Sequence, residues 1–442
     1  MALTASPPEP VAEPPAAGGP RVLIVSHYAG ERTGGEGAIP LRLLGQLRNR
    51  GIQAWLLTHE TKRDELTSVL PADQLERVRY ARSLPGLLPV YTLGKRMPPG
   101  PRTLAWGVTQ LERQLAMLPV VRRLVRELAI DVVHQPISVS PVIPSPLRDL
   151  GVPVVMGPLN GGTQLPRAFA DRDSRLAALV KTARPVASTA LNFAIRGRLR
   201  ADAVLVANDR TRDLLPRAIR DSALTLSDIG VVLESWPQRQ ARPARSPASP
   251  TRFVTVSRLV DWKGVDVVLE AFARFSGSVP AELDIIGDGP ERGRLRARAE
   301  ALGLGARVRW RGWLDPAECS RAMRSSDVYV TAALQEAGGI SVLEAMASGL
   351  PVIASGWGGH LDTLDASRGI LVDMSSRQGA ADGLAAAMAA LATDSARRNQ
   401  LGAAGRQHVR ECYDWDILTD RTLQIYAQVT GGYNGRPRAA AP

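Results

Sequence analysis

The sequence predicts an α/β fold: two Rossmann-like halves, each a parallel sheet covered by helices, joined by a linker. Three observations carry this. The chain has 442 residues, more than one hydrophobic core usually serves. Short β-branched runs alternate with helical periods along its length, the pattern of parallel strands with helices on both faces. Ser235 to Pro250 ("SWPQRQARPARSPASP") is rich in Pro, Arg and Ser, has no apolar period, and divides two such alternating series.

The elements follow in order. Residues 1–20, "MALTASPPEPVAEPPAAGGP", lack a basic start followed by an apolar run, so they read as a disordered tail rather than a signal peptide. Residues 21–234 are expected to form the first domain, with strands at Arg21 to Ser26, Gln53 to Thr58, Asp131 to His134, Pro153 to Met156 and Ala203 to Val206. Helices are expected at Pro40 to Arg50, where Leu41, Leu44 and Leu47 recur at helical spacing, and at Leu111 to Ala129. Beyond the linker, 235–250, a second domain over 251–410 has strands at Thr251 to Val256, Glu282 to Ile286, Val308 to Trp310, Asp327 to Val330, Pro351 to Ala354 and Ile370 to Val372. Residues 411–433 read as a last helix with Trp415, Leu418 and Ile425 on one side.

Composition narrows the class. Hydrophobic residues make up 45% of the chain, too many for a disordered protein. No run of 18 apolar residues occurs, so no membrane span is expected. The two cysteines, Cys319 and Cys412, fit no metal or redox spacing, and the five histidines form no cluster, so a reducing cytoplasm and no metal site are expected. The formal charge of +12 favours an anionic partner.

Ligands of such sheets bind beyond the carboxyl ends of the strands, and two facing sheets leave a cleft. Three segments sit there. "VSRLVDWKG" puts Arg258 and Lys263 after a strand and at the next helix start, two cations suited to a diphosphate. "IIGDGPERGRL" puts Gly287 and Gly289 after the next strand, with Pro290 at an expected first helical position. "LQEAGGISVLEAMASGLPVIAS" places Glu336 and Glu344 around Gly338 and Gly339, ahead of a helix starting near Ile340. The free N–H groups of that helix start can donate, Glu336 can accept from a sugar hydroxyl, and Glu344 can accept from a vicinal diol. "DRD" (Asp171, Asp173) and "DWD" (Asp414, Asp416) match metal-binding Asp-x-Asp spacing, but each precedes a helical segment, where capping is the better reading.

Together these segments resemble the family 4 glycosyltransferases of the GT-B fold. The family carries the Arg and Lys, the Gly-x-Gly-Pro turn and the Glu-x7-Glu segment in this order, and "SGWGGHLDTL" resembles its Gly-Gly-x-x-acid loop, with Asp362 where glutamate is usual. Gly338 replaces the usual aromatic two positions after the first glutamate, and "GVVLESWP" replaces the Asn-Gly-Val-Asp segment. The resemblance is strong from Phe253 to Val372 and weaker before the linker. In the first half it implies that Gly34 and Gly35 form the family's glycine loop, facing acceptor or donor phosphates. It also implies that His134, at a strand end, addresses the reacting sugar, and that Asn160, Gly161 and Gly162 line the cleft.

The resemblance implies a retaining transfer of a hexose from a nucleotide diphosphate sugar to a glycan or lipid-linked acceptor, without metal or other cofactor and with no nucleic-acid partner. Arg258, Lys263 and the glycine-turn N–H groups would stabilise the leaving diphosphate. It also implies a last helix that crosses back to the first domain. The alternatives are a non-hydrolysing sugar-nucleotide epimerase, an inactive sugar-nucleotide-binding relative, and a dinucleotide oxidoreductase, which the absence of GxGxxG after the first strand disfavours. A separate expectation is peripheral contact with an anionic membrane at its inner face, through Lys181, Arg184, Arg196, Arg198 and Arg200 around apolar Val186 to Ile195.

Overall fold

The computed structural model describes residues 19–30, 35–84, 99–172, 190–239, 249–275 and 279–433. The disordered-tail reading, Gly34, Asp173, Lys181, Arg184 and most of the linker lie outside them.

The first sheet contains β1 (Val22–Val25), β2 (Ala54–His59), β3 (Val78–Ala81), β4 (Val132–Gln135), β5 (Val154–Leu159), β6 (Ala203–Val206) and β7 (Leu224–Thr225), all parallel, in the order β3-β2-β1-β4-β5-β6-β7. The second contains β8 (Thr251–Val256), β9 (Ala281–Ile286), β10 (Val308–Gly312), β11 (Val328–Thr331), β12 (Val352–Ser355) and β13 (Ile370–Val372), also parallel, in the order β10-β9-β8-β11-β12-β13. Central strands such as β1, β2 and β12 are buried on both faces, which is why they read as unbroken apolar runs rather than alternating ones. Each order reverses beside the domain's first strand (β1/β4 and β8/β11), so both sheets open a crevice there.

Helical period builds the layers. In the helix Val265–Phe275, Val265, Val268, Leu269, Phe272 and Phe275 form one apolar stripe, and Phe272 and Phe275 meet Phe253 edge-on. The helix Pro316–Ser325 starts with an Asp315–Glu318 capping box.

Some sequence expectations shift. Strands β3 and β7 were not expected: "VRYA" has no apolar run and β7 is two exposed residues. The first helix runs Gly35–Asn49, with Pro40 inside it. The helix after β9 begins at Arg292, so Pro290 lies in the preceding turn and not at the first helical position.

The two domains exchange segments. The helix Trp415–Tyr433 leaves the second domain and packs Trp415, Leu418, Ile425 and Tyr426 into the first-domain core, where Arg50 pairs with Asp416 and Asp420. At the crossing, Val231 and Asp414 form a parallel bridge, so the outgoing and returning strands of chain run side by side. In the other direction, residues 163–172 of the first domain lie on the second. Phe169 is fully buried in the second-domain core, Arg172 pairs with Asp261 and Asp266, and Arg377 pairs with Asp171. Asp171 is thus an ion-pair partner, and Asp414 accepts from the Asp416 N–H at the helix start. The flank of the linker is also docked: Trp236 is buried in a second-domain cluster, and Arg239 bonds the Ser326 carbonyl and the Asp327 carboxylate.

Candidate active site

The carboxyl ends of the two sheets face each other. Side chains from the first helix of the first domain reach toward the second: Glu36 lies under the field of Arg258, and Arg42 under that of Glu344. Ile229 of the first domain fills the space beside Gly338, and Asn208 and Arg210 hold Asp362 at 2.9 and 3.0 Å.

On the second-domain wall, β8 ends at Val256 and the chain passes through a 3-10 turn, Asp261–Lys263, before Gly264 and the next helix. This sets Arg258 and Lys263 on one rim. Arg258 is exposed, and among the described residues no acidic side chain pairs with it. Lys263 is mostly buried and forms an ion pair with Glu336. Burial alone would raise the Glu336 pKa, but Lys263, then His360, and the Gly339 N–H hold it below the usual carboxylate range. The arrangement is a carboxylate fixed between a lysine and a helix start.

Gly339 is that helix's N-cap and takes φ +81°, a conformation that side chains disfavour; the helix Ile340–Ala347 follows. Its N–H is engaged by Glu336 in this structure, which corrects the expectation that both glycine N–H groups stand free. Gly287 (φ +128°) and Gly289 pack against the Ser257 and Leu259 carbonyls, so the neighbouring backbone alone demands glycine at both positions. Glu344 is half-buried in the second turn of its helix. Burial pushes its carboxyl up to about 8, opposed by Arg42.

On the first-domain wall, the structure brings Asn160 and Gly161 to the cleft. Asn160 donates to Asp228 at 2.8 Å, and the Gly161 N–H donates to the Thr211 hydroxyl. Gly35 opens the first helix, and among the described residues no atom outside that helix and its chain neighbours lies within 4 Å of where a β-carbon would sit. His134 is corrected. It is buried beneath the cleft, with Nδ1 2.6 Å from the Tyr426 hydroxyl and Nε2 2.6 Å from the Gly157 carbonyl. Both ring nitrogens are taken, so it fastens the crossing helix to β4 and β5 and cannot address a sugar. Arg198 is corrected likewise: it is buried and bonded to backbone carbonyls, not displayed to a membrane.

Three residues at the cleft escaped the sequence reading. His360 is buried against Ser355, which lies 2.9 Å from its Nδ1, and its ring borders Gly339. Trp357 donates from its indole to the Gln164 carbonyl across the domains. Asp228 is buried; desolvation, with Glu36 and Asp362 nearby, pushes its carboxyl up to about 7 despite the Asn160 bond. Trp357 and His360 lie inside the quoted "SGWGGHLDTL" stretch, where only Asp362 was singled out, and Asp228 is a lone acid outside any motif. Among the described residues, no group of three His, Cys, Asp or Glu could hold a metal ion, and no helix is long and apolar enough to cross a membrane.

Residues 238–408 match the family described as glycosyl transferases group 1. The lipopolysaccharide core biosynthesis glycosyltransferase LpsE of Rhizobium meliloti is 31% identical over 183 residues, 41% of this chain and 51% of that protein. A phosphatidyl-myo-inositol mannosyltransferase of Mycobacterium leprae is 35% identical over 173 residues, 38% of this chain and 43% of that protein. The chain thus spans about half the length of the curated relatives it matches. The sucrose-phosphate synthase of Thermosynechococcus elongatus superposes with a TM-score of 0.65 at 19% identity, covering 93% of this chain and 100% of that one. Anabaena HepE, solved with UDP and glucose, superposes at 0.59 with 15% identity, covering 92% and 100%. The fold is GT-B.

Proposed function

We propose, for a chain that belongs through residues 238–408 to the group 1 glycosyl transferases, that it transfers a hexose from a nucleotide diphosphate sugar to a glycan or lipid-linked acceptor, with retention and without metal. The carrying observation is the rim of the second domain. Among the described residues no acidic side chain forms an ion pair with Arg258, and the Lys263–Glu336 pair stands beside the glycine-capped helix Ile340–Ala347. As the anomeric carbon–oxygen bond breaks, negative charge grows on the diphosphate, and this rim holds fixed positive charge for it. Glu336, held ionised, accepts from a sugar hydroxyl, and Glu344 accepts from the ribose diol once ionised. Retention follows from attack on the face the diphosphate leaves, with the departing phosphate taking the acceptor's proton. LpsE and the mannosyltransferase support the acceptor class by their names, and HepE's bound UDP supports the donor class.

The test is thermal unfolding with UDP, GDP, ADP and their sugars, on wild type and on Arg258→Ala/Lys263→Ala. A nucleotide at about 100 times its Kd adds about 2.7 kcal/mol. Stabilisation of wild type by one nucleotide and loss in the variant fit the proposal; no response to any, or an equal one in both, overturns it. Product analysis with and without acceptor separates transfer from epimerisation, and unchanged turnover in EDTA checks metal independence.

Membrane contact is a second proposal. Leu191 and Phe193 are exposed beside Arg196 on the first domain, apolar and basic groups together. Co-sedimentation with anionic vesicles at low salt is expected, and failure to do so counts against it.

A further inference from the structure

His360 is anchored through one ring nitrogen and free at the other. Its Nδ1 stands 2.9 Å from the Ser355 hydroxyl and 3.1 Å from the Ser355 carbonyl, at the end of β12. The Ser355 hydroxyl gives its single hydrogen to the Ala333 carbonyl at 2.6 Å. Both oxygens around Nδ1 therefore accept, and the ring carries its hydrogen there. Burial, the largest influence, and Lys263 pull its pKa below the usual histidine value, against Glu336 and the Ser355 carbonyl, so the ring is neutral near pH 7.

In this tautomer Nε2 carries a lone pair. It has no hydrogen-bond partner among the described residues and, unlike the two ring nitrogens of His27, it is not sealed from solvent. Its surroundings are the rim already described. The ring's Cδ2 and Nε2 lie 3.3 and 3.6 Å from where a β-carbon of Gly339 would sit, and the Glu336 Cγ lies 3.6 Å from the same point. The Gly359 N–H donates to the Glu336 carbonyl at 2.8 Å, which ties the two loops together and fixes the ring beside the carboxylate. The charged groups whose fields reach the ring are Glu336 and Lys263. Two acceptors, a carboxylate and a neutral nitrogen, thus stand side by side at the N-cap of the helix Ile340–Ala347. Phosphate oxygens only accept and are repelled by a lone pair, whereas a hydroxyl donates to it.

We infer that His360 is a donor-binding residue, whose Nε2 accepts a hydrogen bond from a hydroxyl of the transferred sugar next to the hydroxyl that Glu336 holds. The assignment rests on the proposed transfer for the identity of the ligand and deepens it, since it makes this corner a reader of the sugar rather than of the diphosphate. A sugar lacking that hydroxyl leaves the lone pair unpaired and is bound less well.

The test is titration calorimetry of the full chain with UDP, GDP and ADP, and with UDP-glucose, UDP-N-acetylglucosamine, GDP-mannose and ADP-glucose. The readout is the Kd of a sugar nucleotide relative to that of its own nucleoside diphosphate. His360→Asn keeps a side-chain N–H for Ser355 and removes the Nε2 acceptor. It should weaken the sugar nucleotide about 3- to 10-fold relative to the diphosphate. His360→Gln, whose amide oxygen reaches the place of Nε2, should recover part of that loss, which a purely structural role would not. A ratio equal in wild type and His360→Asn overturns the inference. If the variants fail to fold, NMR of wild type with isotope-labelled histidine decides. One unprotonated Nε2 signal should shift with the sugar nucleotide and not with the diphosphate, and no sugar-dependent shift in any of the five histidines overturns the inference. Absence of binding by every nucleotide overturns the transfer reading itself, whereas binding with an unchanged ratio overturns this inference alone.

Discussion

Lys263 and Glu336 depend on each other: each is mostly buried, and each is the other's charge partner. Removing the lysine leaves a buried carboxylate and takes a cation from the rim proposed above to hold the diphosphate. For Lys263→Ala we expect turnover to fall about 10²- to 10³-fold, with a smaller change in donor KM; steady-state kinetics with the donor identified by thermal shift checks this. Asp228 carries a different signature. Its folded pKa is raised from 3.8 to about 7, so between about pH 4 and pH 7 the folded state holds a proton that the unfolded chain has lost. Stability attributable to this group is therefore present at low pH and falls as pH rises through that window. Asp228→Asn should flatten the loss of stability between pH 4 and 8, measured by urea unfolding at each pH; an unchanged slope refutes the assignment. At this scale the sequence set Arg258 and Lys263 after one strand and Glu336 after another, and the structure has them after β8 and β11. The sequence misled at His134, because a residue at a strand end points either to the cleft or to the face beneath, and nothing local reveals that Tyr426, 292 positions on, already holds it.

Among elements, the strands of both sheets were readable because burial on both faces demands unbroken apolar runs. Strands β3 and β7 were not, since "VRYA" has no apolar run and β7 is two exposed residues. Nor was the role of residues 163–172, whose only apolar anchors are Leu165, Ala168 and Phe169. Phe169 is fully buried in the second-domain core, under the guanidinium groups of Arg172 and Arg377. Phe169→Ala should cost about 3–5 kcal/mol and loosen the second domain more than the first. Hydrogen exchange should show the loss of protection in the helices Val265–Phe275 and Arg377–Thr393; protection lost chiefly in the first sheet would contradict this. In the glycine turn after β9, Gly287 and Gly289 answer to the backbone of the loop beside them.

For the whole molecule, the two-domain plan followed from length, alternation and the Pro/Arg/Ser-rich stretch, and the family from motif order. The packing between domains did not, because contacts such as Arg210–Asp362 and Trp357–Gln164 join four-residue helices or loops too short to carry a period. The mutual exchange of the crossing helix and the Phe169 segment gives the chain the logic of a clasp. Each half is finished by a piece that the other half encodes. Cut in the linker, the protein would yield two incomplete bodies, each with an apolar socket open to water. The two fragments, 1–239 and 249–442, should be insoluble or loosely folded alone, yet recombine into an active pair when co-expressed; a well-folded, monomeric fragment from either side would show that the clasp is ornamental. A duplication or swap of one half in evolution would therefore have to carry its partner's plug with it.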